Sequence, residues 1–142
     1  MTVQSIMSRR VVTVELDDKL GAVKEIFDNL HFHHVLVVED GKLLGVVSDR
    51  DLLKALSPNL GTSTESFKDT ATLSKRVYQI MSREPITLHP EASVQDAVDV
   101  FNSHRISCIP IVDDDDTPVG ILSWRDILRA IAAARPDAPT DP

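Results

Sequence analysis

The stretch Gly45-Val46-Val47-Ser48-Asp49-Arg50-Asp51 returns 75 positions later as Gly120-Ile121-Leu122-Ser123-Trp124-Arg125-Asp126. Each copy is an apolar strand running into Ser-x-Arg-Asp, the opening of a helix. Ile6-Met7-Ser8 likewise returns as Ile80-Met81-Ser82, 74 positions on. Self-similarity at so long a period marks two copies of one supersecondary unit. Two copies stacked by a pseudo-twofold would leave two related clefts, the natural place to seek function.

Outward from these stretches, each copy reads strand, helix, strand, strand, helix. In the first, Val11 to Val14 is a short β-branched strand. Leu20, Val23, Ile26, Phe27 and Leu30 then recur at helical spacing, in a helix entered through Asp17-Asp18. Val35 to Val38 is an apolar strand, Glu39-Asp40-Gly41-Lys42 a hairpin turn, Leu43 to Val47 the return strand and Asp49 to Leu56 the closing helix. The second copy repeats the order. It has a strand around Ile86-Thr87-Leu88, a helix carrying Val94, Ala97, Val98 and Phe101, and the strand Ile109 to Val112. A turn from Asp113 to Pro118, the strand Val119 to Leu122 and a helix from Trp124 to about Ala134 complete it.

The expected organisation is repeat 1 over 1–57, a linker over 58–74, repeat 2 over 75–134 and a frayed tail over 135–142. The linker is rich in Ser, Thr, Asn and Gly with almost no apolar periodicity, and reads as no third domain. The tail holds three prolines and two aspartates.

At 142 residues the chain can bury a core without metal or disulfide support. Cys108 is the single cysteine, so no internal disulfide forms and a reducing, cytoplasmic setting is expected. No apolar run approaches the ~18 residues of a membrane span. The net charge of −7 is shared by both halves, so neither offers a basic face for duplex nucleic acid.

These residues resemble a tandem pair of CBS domains, a Bateman module. The resemblance rests on Ile-Met-Ser before the first strand, on Ile109-Pro110-Ile111-Val112, and on Gly-x-x-Ser-x-x-Asp opening each closing helix. It covers the chain outside linker and tail, and a free-standing pair of this size resembles the bacterial proteins of the acetoin-utilisation type. It implies an α/β fold of the α+β kind. Two β-α-β-β-α repeats pack by a pseudo-twofold, two three-stranded sheets face to face with helices outside. It also implies a homodimer formed through amphipathic helices, and a regulatory sensor of adenosine-containing nucleotides that signals to a protein the sequence does not name. AMP, ADP and ATP are the leading ligands, ahead of NAD, S-adenosylmethionine and cyclic di-AMP.

In the crossed arrangement the resemblance implies, one cleft joins Thr13, Phe32, His33 and His34 to Ser123, Arg125 and Asp126. Its mate joins Thr87, Ile106, Ser107 and Cys108 to Ser48, Arg50 and Asp51. The residue types suit such a ligand. An ionised Asp only accepts hydrogen bonds, matching the two donor hydroxyls of a ribose. Ser at a helix start stands among unpaired N–H groups that seat phosphate, and Arg adds a forked contact. Phe32 or Ile106 can sandwich adenine.

Each motif also has a purely structural reading. Ser-x-x-Asp is a capping box. His31, His33 and His34 lack a Cys or carboxylate at a familiar zinc spacing, so no metal is assigned; the resemblance implies that His33 and His34 face ligand phosphates, and the other reading is exposed histidines beside Phe32. Asp113 to Asp116 reads as a solvated hairpin tip rather than a Ca²⁺ or Mg²⁺ loop. Trp124, where repeat 1 has Asp49, packs either between protomers or over the core. Cys108 reads as a buried thiol. No catalytic relay, Walker loop or metal-hydrolase motif is present, so an enzyme is not expected. The alternative function is a ligand-free oligomerisation or protein-interaction module.

Overall fold

The computed structural model describes residues 1–135. The tail assigned to 135–142 lies, beyond Arg135, outside the described residues. These form a mixed α/β chain with five α-helices and two sheets, divided into two compact units. One is contiguous, Val12–Pro85; the other is split, Met1–Val11 with the chain from Ile86 onward.

In the contiguous unit β1 (Thr13–Glu15) lies parallel to β2 (His34–Glu39), which pairs antiparallel with β3 (Lys42–Ser48). Helix α1 (Leu20–Leu30) links β1 to β2, and α2 (Asp49–Ala55) follows β3 without a loop. Val35 to Val38 form an unbroken apolar run because all four are buried. Asp40 and Gly41, at φ 52° and 78°, join Glu39 to Lys42 in the two-residue turn whose left-handed residues match the strand twist. Helix α1 starts later than expected, at N-cap Lys19. Asp18 does not cap it; its carboxylate accepts the Glu15 N–H at 2.8 Å and closes the preceding turn.

The stretch 58–74 carries a short helix, α3 (Phe67–Ala71). The Ser57 hydroxyl donates to the Asp69 carboxylate at 2.5 Å and the Ser57 N–H to Thr72 Oγ1 at 3.2 Å, tying this stretch to the end of α2. Beyond it a 3₁₀ turn, Val77–Gln79, buries Val77 completely, and β4 (Ser82–Arg83) adds antiparallel to β3. The sheet therefore has four strands where three were expected, in the order β1-β2-β3-β4.

The split unit contains α4 (Val94–Ser103), β5 (Cys108–Val112), β6 (Pro118–Ser123) and α5 (Trp124–Ala133). Its sheet has two strands, β5 and β6, again departing from three. The strand expected around Ile86-Thr87-Leu88 shrinks to one bridge, Leu88 to Ile111. Pro110 gives the reason. At the matching place in the other unit the Leu36 N–H donates to the Val12 carbonyl at 2.9 Å, and proline has no N–H to give. Leu88 keeps the bonds that remain, donating to Pro110 O at 3.2 Å and accepting from Val112 N at 3.0 Å.

Residues 1–11 stand first in the chain yet complete this unit. Val3, fully buried, donates its N–H to Ala92 O at 2.8 Å, and Ser8 and Ile121 exchange two bonds of 2.9 Å. Val3 thereby joins Ala97, Ile109, Ile111, Leu122 and Ile127 in one core. Residues 1–57 thus span parts of both units.

Gly45 and Gly120 sit where these closing segments press on the return strands. A Cβ at Gly45 would stand 2.7 Å from the Ser82 carbonyl oxygen and 2.9 Å from Met81 Sδ, whereas at Gly120 it would meet only the Met7 thioether. A carbonyl held in the β3–β4 ladder cannot retreat; a methionine end can. Gly45→Ala is expected to cost about 1–3 kcal/mol, and Gly120→Ala clearly less. Urea unfolding of both variants checks this, and equal losses would show that the β4 edge yields.

Candidate functional site

Strand β3 delivers Ser48 in extended conformation to the start of α2, where it becomes the N-cap. The Asp51 N–H donates to Ser48 Oγ at 3.1 Å, and the Ser48 N–H donates to Asp51 Oδ2 at 2.9 Å. Strand β6 does the same for α5: the Asp126 N–H reaches Ser123 Oγ at 3.3 Å, and the Ser123 N–H reaches Asp126 Oδ2 at 2.8 Å. Both boxes therefore exist as helix caps, worth about 1 kcal/mol each. The cap occupies one carboxylate oxygen. In Asp126 the other, Oδ1, lies 3.6 Å from Arg129 Nη1, and the side chain is 14% exposed.

Two further boxes, Ser66 with Asp69 and Ser93 with Asp96, cap α3 and α4. Their Ser-x-x-Asp spacing stands in the sequence as well. What sets the β3 and β6 boxes apart is the neighbouring strand: His34 pairs with Ser48, and Cys108 with Ser123.

In the contiguous unit His33, His34, Ser48 and Asp51 meet at the start of α2. The Asp49 N–H donates to the His33 carbonyl at 2.9 Å, and His33 Nδ1 lies 2.9 Å from Asp49 Oδ2. A carboxylate only accepts, so Nδ1 carries the proton in that contact. Burial pulls the His34 imidazole below its usual 6.5, with His33 adding to the shift and Asp49 and Asp51 opposing it. Phe32 is half-buried beside them; Thr13 is exposed on β1, opposite Leu36; Arg50 is exposed on α2.

In the split unit Ser107, Cys108, Ser123 and Asp126 meet at the start of α5. Burial pushes the Cys108 thiol up to about 12, so it stays protonated. Ile106 packs against the core, and Thr87 is partly buried one residue before the Leu88 bridge. Arg125 is exposed. Asp113 Oδ1 accepts the N–H groups of Asp115 and Thr117 at 2.9 and 3.0 Å, so this carboxylate braces its own turn. Among the described residues no three His, Cys, Asp or Glu side chains are grouped to hold a metal ion.

Each unit also carries a cavity. In the split unit Asp126 and Arg129 line one of about 500 Å³ with Ser5, Ile6 and Ala130. Ser5, Ile6 and Arg129 join this lining from outside the Ser-x-x-Asp motif. The recurrence of Ile6-Met7-Ser8 marks Ile6 without saying what it touches, and no repeated motif includes Ser5 or Arg129. In the contiguous unit a cavity of about 360 Å³ opens between α1 and α2, against Phe27, Phe32, His33, Asp49 and Leu53.

A CBS domain family model matches the chain twice, over residues 3–58 and 77–133. Similar solved structures include the CBS domain pair of protein MJ0100 in complex with 5′-methylthioadenosine and S-adenosyl-L-methionine. It is 26% identical, with 95% of this chain and 98% of that one covered and a TM-score of 0.78. CBSX2, a CBS-pair protein of Arabidopsis thaliana, in complex with AMP, is 26% identical over 93% and 96% of the two chains, at a TM-score of 0.76. An acetoin utilization protein from Vibrio cholerae is 25% identical over 100% and 98%, at a TM-score of 0.75. Among curated relatives, an uncharacterized protein from Methanocaldococcus jannaschii is 26% identical over 91% of this chain but only 39% of its own length. The chain spans 21–24% of the relatives named as enzymes.

The His34 shift has a measurable consequence. Its imidazole binds protons less readily folded than unfolded, so stability is full above the unfolded value near 6.5 and falls as pH drops through it. Urea midpoints between pH 8 and 5 should decline on the acid side, and His34→Gln should flatten that decline relative to His33→Gln. An unchanged slope would show that His34 is not the group responsible.

Proposed function

Since the chain belongs to the CBS domain family, we propose that it is a regulatory sensor. It binds an adenosine-containing nucleotide at the Ser-x-x-Asp boxes and signals by conformational or dimer rearrangement. One observation carries the reading: Asp126 holds its helix with Oδ2 while the same side chain lines a cavity of about 500 Å³. That volume falls in the range of small-molecule sites. Carboxylate oxygens are acceptors only, which suits the paired hydroxyls of a ribose. Asp51, Ser48 and Arg50 repeat the chemistry in the other unit.

The similar structures support the ligand class, since AMP, 5′-methylthioadenosine and S-adenosyl-L-methionine share adenine and a ribose diol. AMP, ADP and ATP remain our leading ligands. Thr13, Phe32, His33, His34, Thr87, Ile106, Ser107, Cys108, Ser123 and Arg125 belong to the proposal as lining groups. The working form is a homodimer in a reducing cytoplasm, where a single buried thiol is stable. Among the described residues no helix is long and apolar enough to cross a membrane. The reading is of a binding module rather than an enzyme.

Thermal unfolding with AMP, ADP, ATP, NAD, S-adenosylmethionine and cyclic di-AMP tests it. A ligand at about 100 times its dissociation constant should add about 2.7 kcal/mol. Asp126→Ala or Asp51→Ala should lose that gain in its own site. Asp96→Ala is the control: it should cost about 1 kcal/mol of capping energy and leave the ligand response intact. If no compound stabilises the parent, the sensor reading fails and the ligand-free interaction module stands.

Incubation with ATP should release phosphate no faster than buffer. Steady turnover abolished by Ser48→Ala would overturn the non-catalytic reading.

A further inference from the structure

Among the described residues, the charged side chains lining the split-unit cavity are Asp126 and Arg129, one turn apart on α5. Ala130 and Ala133 continue the same helix face, since steps of three and four residues return to one side. Ser5 and Ile6 supply lining from the N-terminal segment.

Asp126 is half spent on its own helix. Oδ2 accepts the Ser123 N–H at 2.8 Å and the Ser123 hydroxyl at 3.1 Å. Oδ1 has Arg129 Nη1 at 3.6 Å, beyond the roughly 2.7–2.9 Å of a charge-assisted hydrogen bond. The guanidinium, 71% exposed, thus stands beside the carboxylate without being committed to it. So loose a pair does little for the helix.

The other copy carries a cation at the same step: Lys54 follows Asp51 by three residues, as Arg129 follows Asp126. After the Ser-x-x-Asp boxes of α3 and α4 that step brings Thr72 and Asp99 instead. Capping alone therefore calls for no positive charge there.

A ribose diol reaching Oδ1 meets Arg129 on the way. A neutral nucleoside contends with the guanidinium for that oxygen and gives it nothing in return. A phosphate on the same ribose gives it an anionic, forked partner and draws it off the carboxylate as the diol arrives. A sulfonium in that place meets like charge.

We propose that Arg129 determines the specificity of the split-unit site, which takes a nucleoside phosphate in preference to a nucleoside whose 5′ end is neutral or cationic. This deepens the sensor reading above and rests on it.

Calorimetric titration with AMP, adenosine and 5′-methylthioadenosine tests it, in Asp51→Ala protein to silence the other box, and in the parent should that variant unfold. AMP should bind more tightly than the two uncharged compounds. Arg129→Gln should weaken AMP about ten- to hundred-fold and leave adenosine no weaker, and Arg129→Lys should restore part of the loss. Lys42→Gln, which removes an exposed charge at the start of β3, should leave the AMP-to-adenosine ratio unchanged. Equal affinities for AMP and adenosine, a preference that survives Arg129→Gln, or one that falls as much with Lys42→Gln overturns the role of Arg129 and leaves the sensor reading standing. No binding of AMP also overturns it, and no binding of any adenosine compound overturns the sensor reading with it.

Discussion

Each unit is closed by a short segment that presses a valine and a methionine beneath its return strand. In the contiguous unit these are Val77 and Met81; in the split unit they are Val3 and Met7. Both valines are fully buried, and each such burial stabilises by roughly 1.5–3 kcal/mol. A Cβ at Gly45 would press on the Ser82 carbonyl and Met81, and one at Gly120 on the more yielding Met7 side chain. The strands so held run straight into Ser48 and Ser123, so the placement of both boxes depends on this closure.

The boxes show how one side chain can serve fold and ligand together. A carboxylate has two oxygens, and a cap needs only one. Ser66 with Asp69 and Ser93 with Asp96 make the same cap away from the β3 and β6 return strands, so the spacing alone cannot announce a site. The copies then diverge around a shared plan. One surrounds its box with His33, His34 and Asp49, the other with Ser107, Cys108 and Trp124. The first is ionisable; the second is not, with its thiol held protonated by burial.

Local pattern made much of this legible. The apolar spacing of Leu20 to Leu30, the Asp40-Gly41 turn and the Ser-x-x-Asp openings all depend on neighbours within a few residues, and each is found where expected. What escaped depends on contacts distant in sequence. Pro110 is plain in the sequence, but its effect on the strand at residues 86–88 depends on the bond that Leu36 donates to Val12 in the matching place. Helix α3 lies in a polar stretch without periodicity, stabilised by capping and by Ser57 rather than by an apolar face. Periodicity is likewise blind to the exchange of residues 1–11, because Val3 finds its core more than ninety residues downstream.

That exchange sets an order of assembly during synthesis. The contiguous unit has every one of its strands once Arg83 is made. Val3, by contrast, must await Leu122, 119 residues later. At ribosomal speed that is a delay on the order of ten seconds. Throughout it, the apolar Val3 has no native core to enter.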